Sequence, residues 1–328
     1  MDPSFLFRVT KANILLCMIL AVVISLSLIS IFVGISTLTF DTANTADSLD
    51  IILISRVPRT LALILAGTSL AIAGVIMQQL ARNKFVEPTT TGTVESASLG
   101  ILLMLIFYPQ ASVIYKLLAA CLFSIIGTTM FLLLLRRISF RSDFLVPLVG
   151  MMYAAVLASI ITFIAYRTDL LQSIWVWMQG DFSMIIQGRY ELLWLAAALA
   201  IGAYFIADKL TLAGLGKEVS TNLGLNYNRI FILGLIMVSL ITGITVVNSG
   251  VIPFLGLIVP NIVSLVMGDN LRKSLPLVAL TGAALVLFCD ILSRVLIYPY
   301  EIPISTVMGI IGSGLFLLLL FRNARHAN

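Results

Sequence analysis

What most constrains this chain is the recurrence of long stretches without a single Asp, Glu, Lys or Arg, at 12–40, 60–81, 117–135, 144–166, 192–207, 230–268, 274–289 and 302–321. A helix that spans a bilayer needs about 20 predominantly apolar residues. Of 328 residues 60% are hydrophobic and 11% charged, which leaves too little polar surface to cover a water-soluble body of this size. The expected fold class is therefore all-α and polytopic, a single transmembrane domain over 1–328. Dividing the 230–268 run near Gly250 and Pro253, and adding a shorter span at 93–115, gives about ten helices.

An even number of spans puts both termini on one side. On this scheme Arg56, Arg59, Lys116, Arg167, Arg189 and Arg294 fall on one face, and the other 14 of the 20 basic residues fall on the face that holds the termini. Short loops rich in Lys and Arg stay in the cytoplasm. Both termini are thus expected inside an inner or plasma membrane, and the Arg56 and Arg294 loops outside. The net charge of +5 reads as this topology signal, since a nucleic-acid partner would require a concentrated basic face. The first apolar run, behind Arg8 and Lys11, is too long for a signal-peptide core and lacks a clear small-residue cleavage site, so it reads as an uncleaved first span.

The sequence holds little reactive chemistry. It has no Gly-rich loop ending in Gly-Lys-Ser or Gly-Lys-Thr, so ATP is not expected to bind to this chain and energy must come from elsewhere. The one histidine is His326, and Cys17, Cys121 and Cys289 stand far apart without metal-ligand spacing. No catalytic residue and no metal site is expected, which disfavours an enzyme. Ionisable residues in or beside the apolar runs are Glu95, Asp143, Asp290 and Arg294. Burying charge in lipid is costly, so these are functional candidates. Asp290 and Arg294, four apart, share a helical face and can form a structural pair. An ion-coupled secondary transporter would be expected to carry more intramembrane carboxylates, which makes it the alternative reading.

Four segments and two sets of side chains stand out against this background. Segment 209–229, KLTLAGLGKEVSTNLGLNYNR, carries Leu215, Val219 and Leu223 at four-residue spacing, opposite Lys217, Glu218 and Asn222. That pattern suits a short amphipathic helix, either lying on lipid headgroups or docked on a partner. RVPR at 56–59 places Pro58 where a first helical turn accepts it; its arginines either snorkel to lipid phosphate or face a protein. Segment 82–92, RNKFVEPTTTG, links two spans on the basic side. GVIPFLGLIVP at 250–260 alternates helix breakers with apolar residues at membrane depth, which is tolerated only where the backbone is packed in protein or faces a cavity. Met151 and Met152 suit either core packing or a smooth passage, and Tyr166, Trp175, Trp177, Tyr298 and Tyr300 suit an interfacial belt.

Two blocks in order, RVPRTLALILAGTSLAIAGVIMQQLARNKFVEPTTTGTVESASLG at 56–100 and NSGVIPFLGLIVPNIVSLVMGDN onward at 248–322, resemble the FecCD-type permeases of iron-siderophore and cobalamin importers. The resemblance covers nearly the whole chain and implies the type II ATP-binding-cassette (ABC) importer fold. It implies a permease subunit that moves a ferric siderophore from an outer substrate-binding protein into the cytoplasm by alternating access. ATP and Mg would be bound by separate ATPase subunits, and a second permease protomer, identical or paralogous, would complete the pore. By the same resemblance Leu215, Lys217, Glu218, Val219, Ser220, Leu223 and Gly224 belong to the coupling helices, at about 209–229, that dock against the ATPase. Arg56 and Arg294 meet acidic residues of the binding protein, for which a planar guanidinium is suited. Asn83 and Phe85 belong to the cytoplasmic gate, with Ser142 at a second gate position or in an ordinary polar loop. The segment 144–166, with Met151 and Met152, borders the pathway. Lys84 and Phe85 stand where the family usually has Pro and Leu, and Asn261 and Ser264 where it favours His and Arg. With NKFVEPTTTGT these departures resemble the branch that handles catecholate or mixed-ligand siderophores such as petrobactin.

Overall fold

The computed structural model describes residues 3–33, 50, 52–137 and 145–326. Thirteen α-helices run through them: α1 (Pro3–Phe32), α2 (Val57–Ala81), α3 (Thr93–Phe107), α4 (Val113–Arg137), α5 (Leu145–Arg167), α6 (Leu171–Met178), α7 (Leu193–Phe205), α8 (Ala207–Gly214), α9 (Lys217–Asn222), α10 (Tyr227–Ser249), α11 (Leu255–Met267), α12 (Leu271–Val295) and α13 (Ile304–His326). Among the described residues six helices are long and apolar enough to cross a membrane. The α7–α8 pair, bent by 71°, makes a seventh, and α3, α11 and the apolar part of α13 are shorter. Together they make up the ten expected. Pro58 sits in the first turn of α2, where its missing donor is no loss.

Helix α2 is the hub. Its most apolar window is 83% buried, whereas that of α1 is 11% and that of α5 22% buried, so α2 is surrounded by protein and α1 and α5 lie at the rim. In lipid, helices associate by close packing, and small residues let their backbones approach. Gly67 of α2 faces Gly282 of α12, and a Cβ on Gly67 would stand 2.8 Å from the Gly282 carbonyl oxygen. Gly74 faces Gly256 of α11 more tightly still, at 2.1 Å from its oxygen. A larger residue at either crossing would force the helices apart.

The 250–260 segment is a break between two helices. Helix α10 ends at Ser249, Gly250 takes φ +73°, Phe254 takes φ +63°, and α11 starts at Leu255. The polar backbone of this break is not left to lipid. The N–H of Val251 donates to the Met178 carbonyl at 3.2 Å and the N–H of Asp181 donates to the Ser249 carbonyl at 3.2 Å, so the end of α6 and the chain just beyond it pair with this break.

Candidate gate and charged clusters

The 82–92 loop lies against α11. The Asn83 Oδ1 accepts the N–H of Phe85 at 2.8 Å, which turns the chain, and the Phe85 ring meets Phe316 of α13 edge-on with centroids 6.2 Å apart. Asn83 and Phe85 share the wall of a cavity of about 490 Å3 with Gln78, Gln79 and Arg82 of the α2 end, Gly214 and Leu215 of the 209–229 segment, and Ser264 and Asp269. The structure thus brings two of the three gate candidates and part of the coupling segment to one space. Ser142 lies outside the described residues. On the loop's other flank the Asn261 Nδ2 donates to the Lys84 carbonyl at 2.8 Å, and the Lys84 Nζ donates to Ser264 at 3.2 Å and to Asp269 at 2.8 Å. Three of the residues that distinguish this sequence, Lys84, Asn261 and Ser264, are therefore in one hydrogen-bonded group.

The 209–229 segment, expected to hold coupling helices, contains most of α8 and all of α9, joined by Gly216 at φ +103°. Leu215, Val219 and Leu223 are exposed, as are Lys217 and Glu218, so an apolar face flanked by charge is available on the surface. Ser220, named with the coupling residues, does not itself face the surface. It is fully buried, and its Oγ bonds the carbonyls of Leu212 at 2.7 Å and Gly216 at 2.6 Å, stitching α9 back onto α8. Gly224, at φ +80°, ends that turn in a conformation few other residues adopt. Met151 and Met152 are exposed on the rim helix α5.

At the opposite end of the bundle the expected exposure of Arg56 and Arg294 is not what the structure has: they are 7% and 5% exposed. Arg56 donates through Nη1 to the carbonyls of Ile31 at 2.8 Å and Phe32 at 3.0 Å, and Arg294 donates to those of Ser30, at 2.9 Å, and Val33. Both guanidiniums thus satisfy carbonyls at the C-terminal end of α1, which lack intrahelical partners. The expected pair of Asp290 with Arg294 is present, and Arg59 joins it. Arg59 donates to the Asp290 Oδ1 through Nη2 at 2.7 Å and Nε at 3.1 Å, and through Nη1 to Glu301 at 2.8 Å. Asp290, with no exposure, holds two arginines from different helices, and their charges offset the cost of its burial.

Arg59 and Glu87 are the residues that sequence reasoning missed. The signal for Arg59 was its place three residues beyond Arg56, one turn along the same helix; Glu87 gave none, since its carboxylate points into the break in a distant segment. Glu95, in the first turn of α3, keeps its Oε2 buried without a hydrogen-bond partner.

The FecCD transport family model matches residues 14–322. The chain belongs to the FecCD transport family. Among its relatives, a petrobactin import system permease protein of Bacillus subtilis, YclN, is 49% identical over 308 residues, covering 93% of this chain and 97% of that one. A petrobactin import system permease protein of Bacillus anthracis, FatD, is 43% identical over 304 residues, 93% of this chain and 90% of that one. The fold matches that of a transporter described as a metal-chelate type ABC transporter in an inward-facing conformation, with TM-score 0.81 at 24% identity over 94% of this chain and 98% of the other. This FecCD chain is a multi-pass membrane permease.

Proposed function

We propose that the chain is the permease subunit of an ABC importer of the cell membrane, moving a ferric siderophore of the petrobactin type inward by alternating access. The observation that carries this reading is the 49% identity to a petrobactin import permease over nearly the full length of both chains. Two such subunits, identical or paralogous, enclose the pathway, with the rim helix α5 and its Met151 and Met152 facing the passage. Separate ATPase subunits bind ATP and Mg. The exposed Leu215, Val219 and Leu223 dock on them, and the termini and the 82–92 loop lie on that cytoplasmic side. Asn83 and Phe85 act in the inner gate. Arg56 and Arg294 belong to the face that receives the substrate-binding protein, acting through the frame they build beneath it.

The test is co-expression with the ATPase and binding protein, reconstitution, and uptake of ferric petrobactin against ferric hydroxamate and ferric citrate. ATP-dependent uptake of the petrobactin complex is expected. Uptake that runs on an ion gradient without an ATPase would instead favour the secondary-transporter alternative. Leu223→Asp puts a carboxylate on the docking face, where its desolvation costs a few kcal/mol. ATPase co-purification should fall while the permease still inserts, and unchanged association would assign the segment to the headgroup surface.

A further inference from the structure

The 82–92 loop is fastened to α11 along the whole length of that helix. Glu87 is 1% exposed, and its Oε1 accepts the N–H of Phe254 at 2.9 Å. Gly256, in the first turn of α11, lies against the same carboxylate, whose Oε2 would stand 3.3 Å from a Cβ there. The carboxylate therefore occupies the N-terminal end of the half-helix, where backbone donors lack partners and negative charge is favoured. Thr89 donates its hydroxyl to Glu87, and the N–H of Glu87 donates to the Thr90 Oγ1 at 3.1 Å, which fixes the carboxylate to the loop's own turn. Halfway along, Asn261 holds the Lys84 carbonyl. At the C-terminal end Lys84 reaches both Ser264 and Asp269, and Ser264 itself donates to Asp269 at 2.6 Å.

Fastenings at the beginning, middle and end of α11 leave the loop no separate path. Peeling it away would strand a buried carboxylate and leave the Phe254 N–H without its acceptor, and both losses are costly. Turning both together keeps all of these bonds, and the 250–254 break, where Gly250 stands outside any helix at φ +73° against the Gln179 carbonyl, is the pivot the chain offers. We infer that loop 82–92 and α11 move as one rigid lever about the 250–254 break, with Glu87 the positioning residue that carries displacement of the loop into the half-helix. The lever rests on the proposed transport reading, in which the loop is part of the gate.

The test uses the assembled transporter with Cys17, Cys121 and Cys289 replaced by alanine. Lys84→Cys and Ser264→Cys are bridged by a short bis-methanethiosulfonate, and ferric petrobactin uptake is measured before bridging, after it, and after reduction. A lever predicts unchanged uptake on bridging; arrest that reduction reverses would overturn it. Absence of uptake before bridging counts against the transport reading alone. The lever is then decided by spin labels at the exposed positions Lys84 of the loop and Leu265 of α11 in the reconstituted protein. One distance in every state supports it, and two distances overturn it. In the active transporter Glu87→Ala is expected to lower uptake per ATP hydrolysed by about tenfold, while Glu87→Gln, which keeps an oxygen for the Phe254 N–H, stays near wild type. An alanine variant that couples normally overturns the role given to Glu87, and should that variant not fold, the bridge decides.

Discussion

The two ends of the helix bundle hold their charges in opposite ways. At the Arg59 end the Asp290 carboxylate has no exposure, and Arg59, Arg294 and Glu301 close around it while Arg56 and Arg294 hold the last carbonyls of α1. At the Arg82 end the Lys84 and Asp269 side chains are 56% and 62% exposed. A buried pair is unscreened and expensive to break, whereas an exposed one contributes little and is weakened by salt. The first cluster ties three helices, α1, α2 and α12, into a frame, and the second ties one loop to one half-helix. The first end is therefore costly to take apart and the second is not.

The largest effect that would break the comparison comes from Asp290→Ala. It leaves Arg59 and Arg294 buried against each other without their shared carboxylate, and removing one partner of a buried pair costs about 3–5 kcal/mol. Thermal unfolding of the detergent-solubilised protein should fall by a correspondingly large margin. A variant that unfolds like wild type would show that the Arg59 end is no more a frame than the other.

A smaller effect is expected midway between the ends. Gly74→Ala places a Cβ 2.1 Å from the Gly256 oxygen and 2.3 Å from its Cα, both backbone atoms that cannot step aside. Overpacking of this kind costs about 1–3 kcal/mol, and here it also pushes α11 off α2. Gly309→Ala, where a Cβ meets nothing within 4 Å, is the matched control and should unfold like wild type. Equal stability of the two variants would mean that α11 is loosely seated, and the contrast between a fixed and a movable end would lose its midpoint.

How far each region was legible in the sequence follows from the range of its interactions. The spans were readable because burial in lipid acts residue by residue, and the break at 250–260 because Gly and Pro announce a chain that leaves the helix. Asp290 with Arg294 was readable because both lie on one helix four residues apart. The exposure assigned to Arg56 and Arg294 was wrong because their partners, the end carbonyls of α1, lie more than twenty residues from Arg56 and more than two hundred and fifty from Arg294. Ser220 was legible only as a member of the coupling segment, because helical spacing cannot register a serine that turns inward to bond the preceding helix. Glu87 was invisible as a partner for α11, since a loop carboxylate beside Lys84 looks like an ordinary solvated charge until the fold brings Phe254 to it.

The smallest expected effect sharpens the comparison from the other side. Lys84→Ala removes an exposed pair whose contribution to stability is about 0–1 kcal/mol, so thermal unfolding should barely change, in contrast to Asp290→Ala. Its pH dependence is equally specific. Partial burial works against ionisation of Asp269, but the hydrogen bonds from Lys84 and Ser264 and the Lys84 charge outweigh it and hold its carboxyl below the usual aspartate value. A carboxyl with a depressed folded value contributes its stability above the unfolded value of about 3.9, and loses it as pH falls through the folded one. Unfolding should therefore be insensitive to this pair from about pH 5 to 8 and respond only in stronger acid, a response that Asp269→Asn removes. Raising salt should reduce the small difference between Lys84→Ala and wild type and leave the larger one between Asp290→Ala and wild type in place. If salt erased both differences alike, the Arg59 cluster would be as open to solvent as the Lys84 pair, and the two ends of the bundle would be held by the same kind of force.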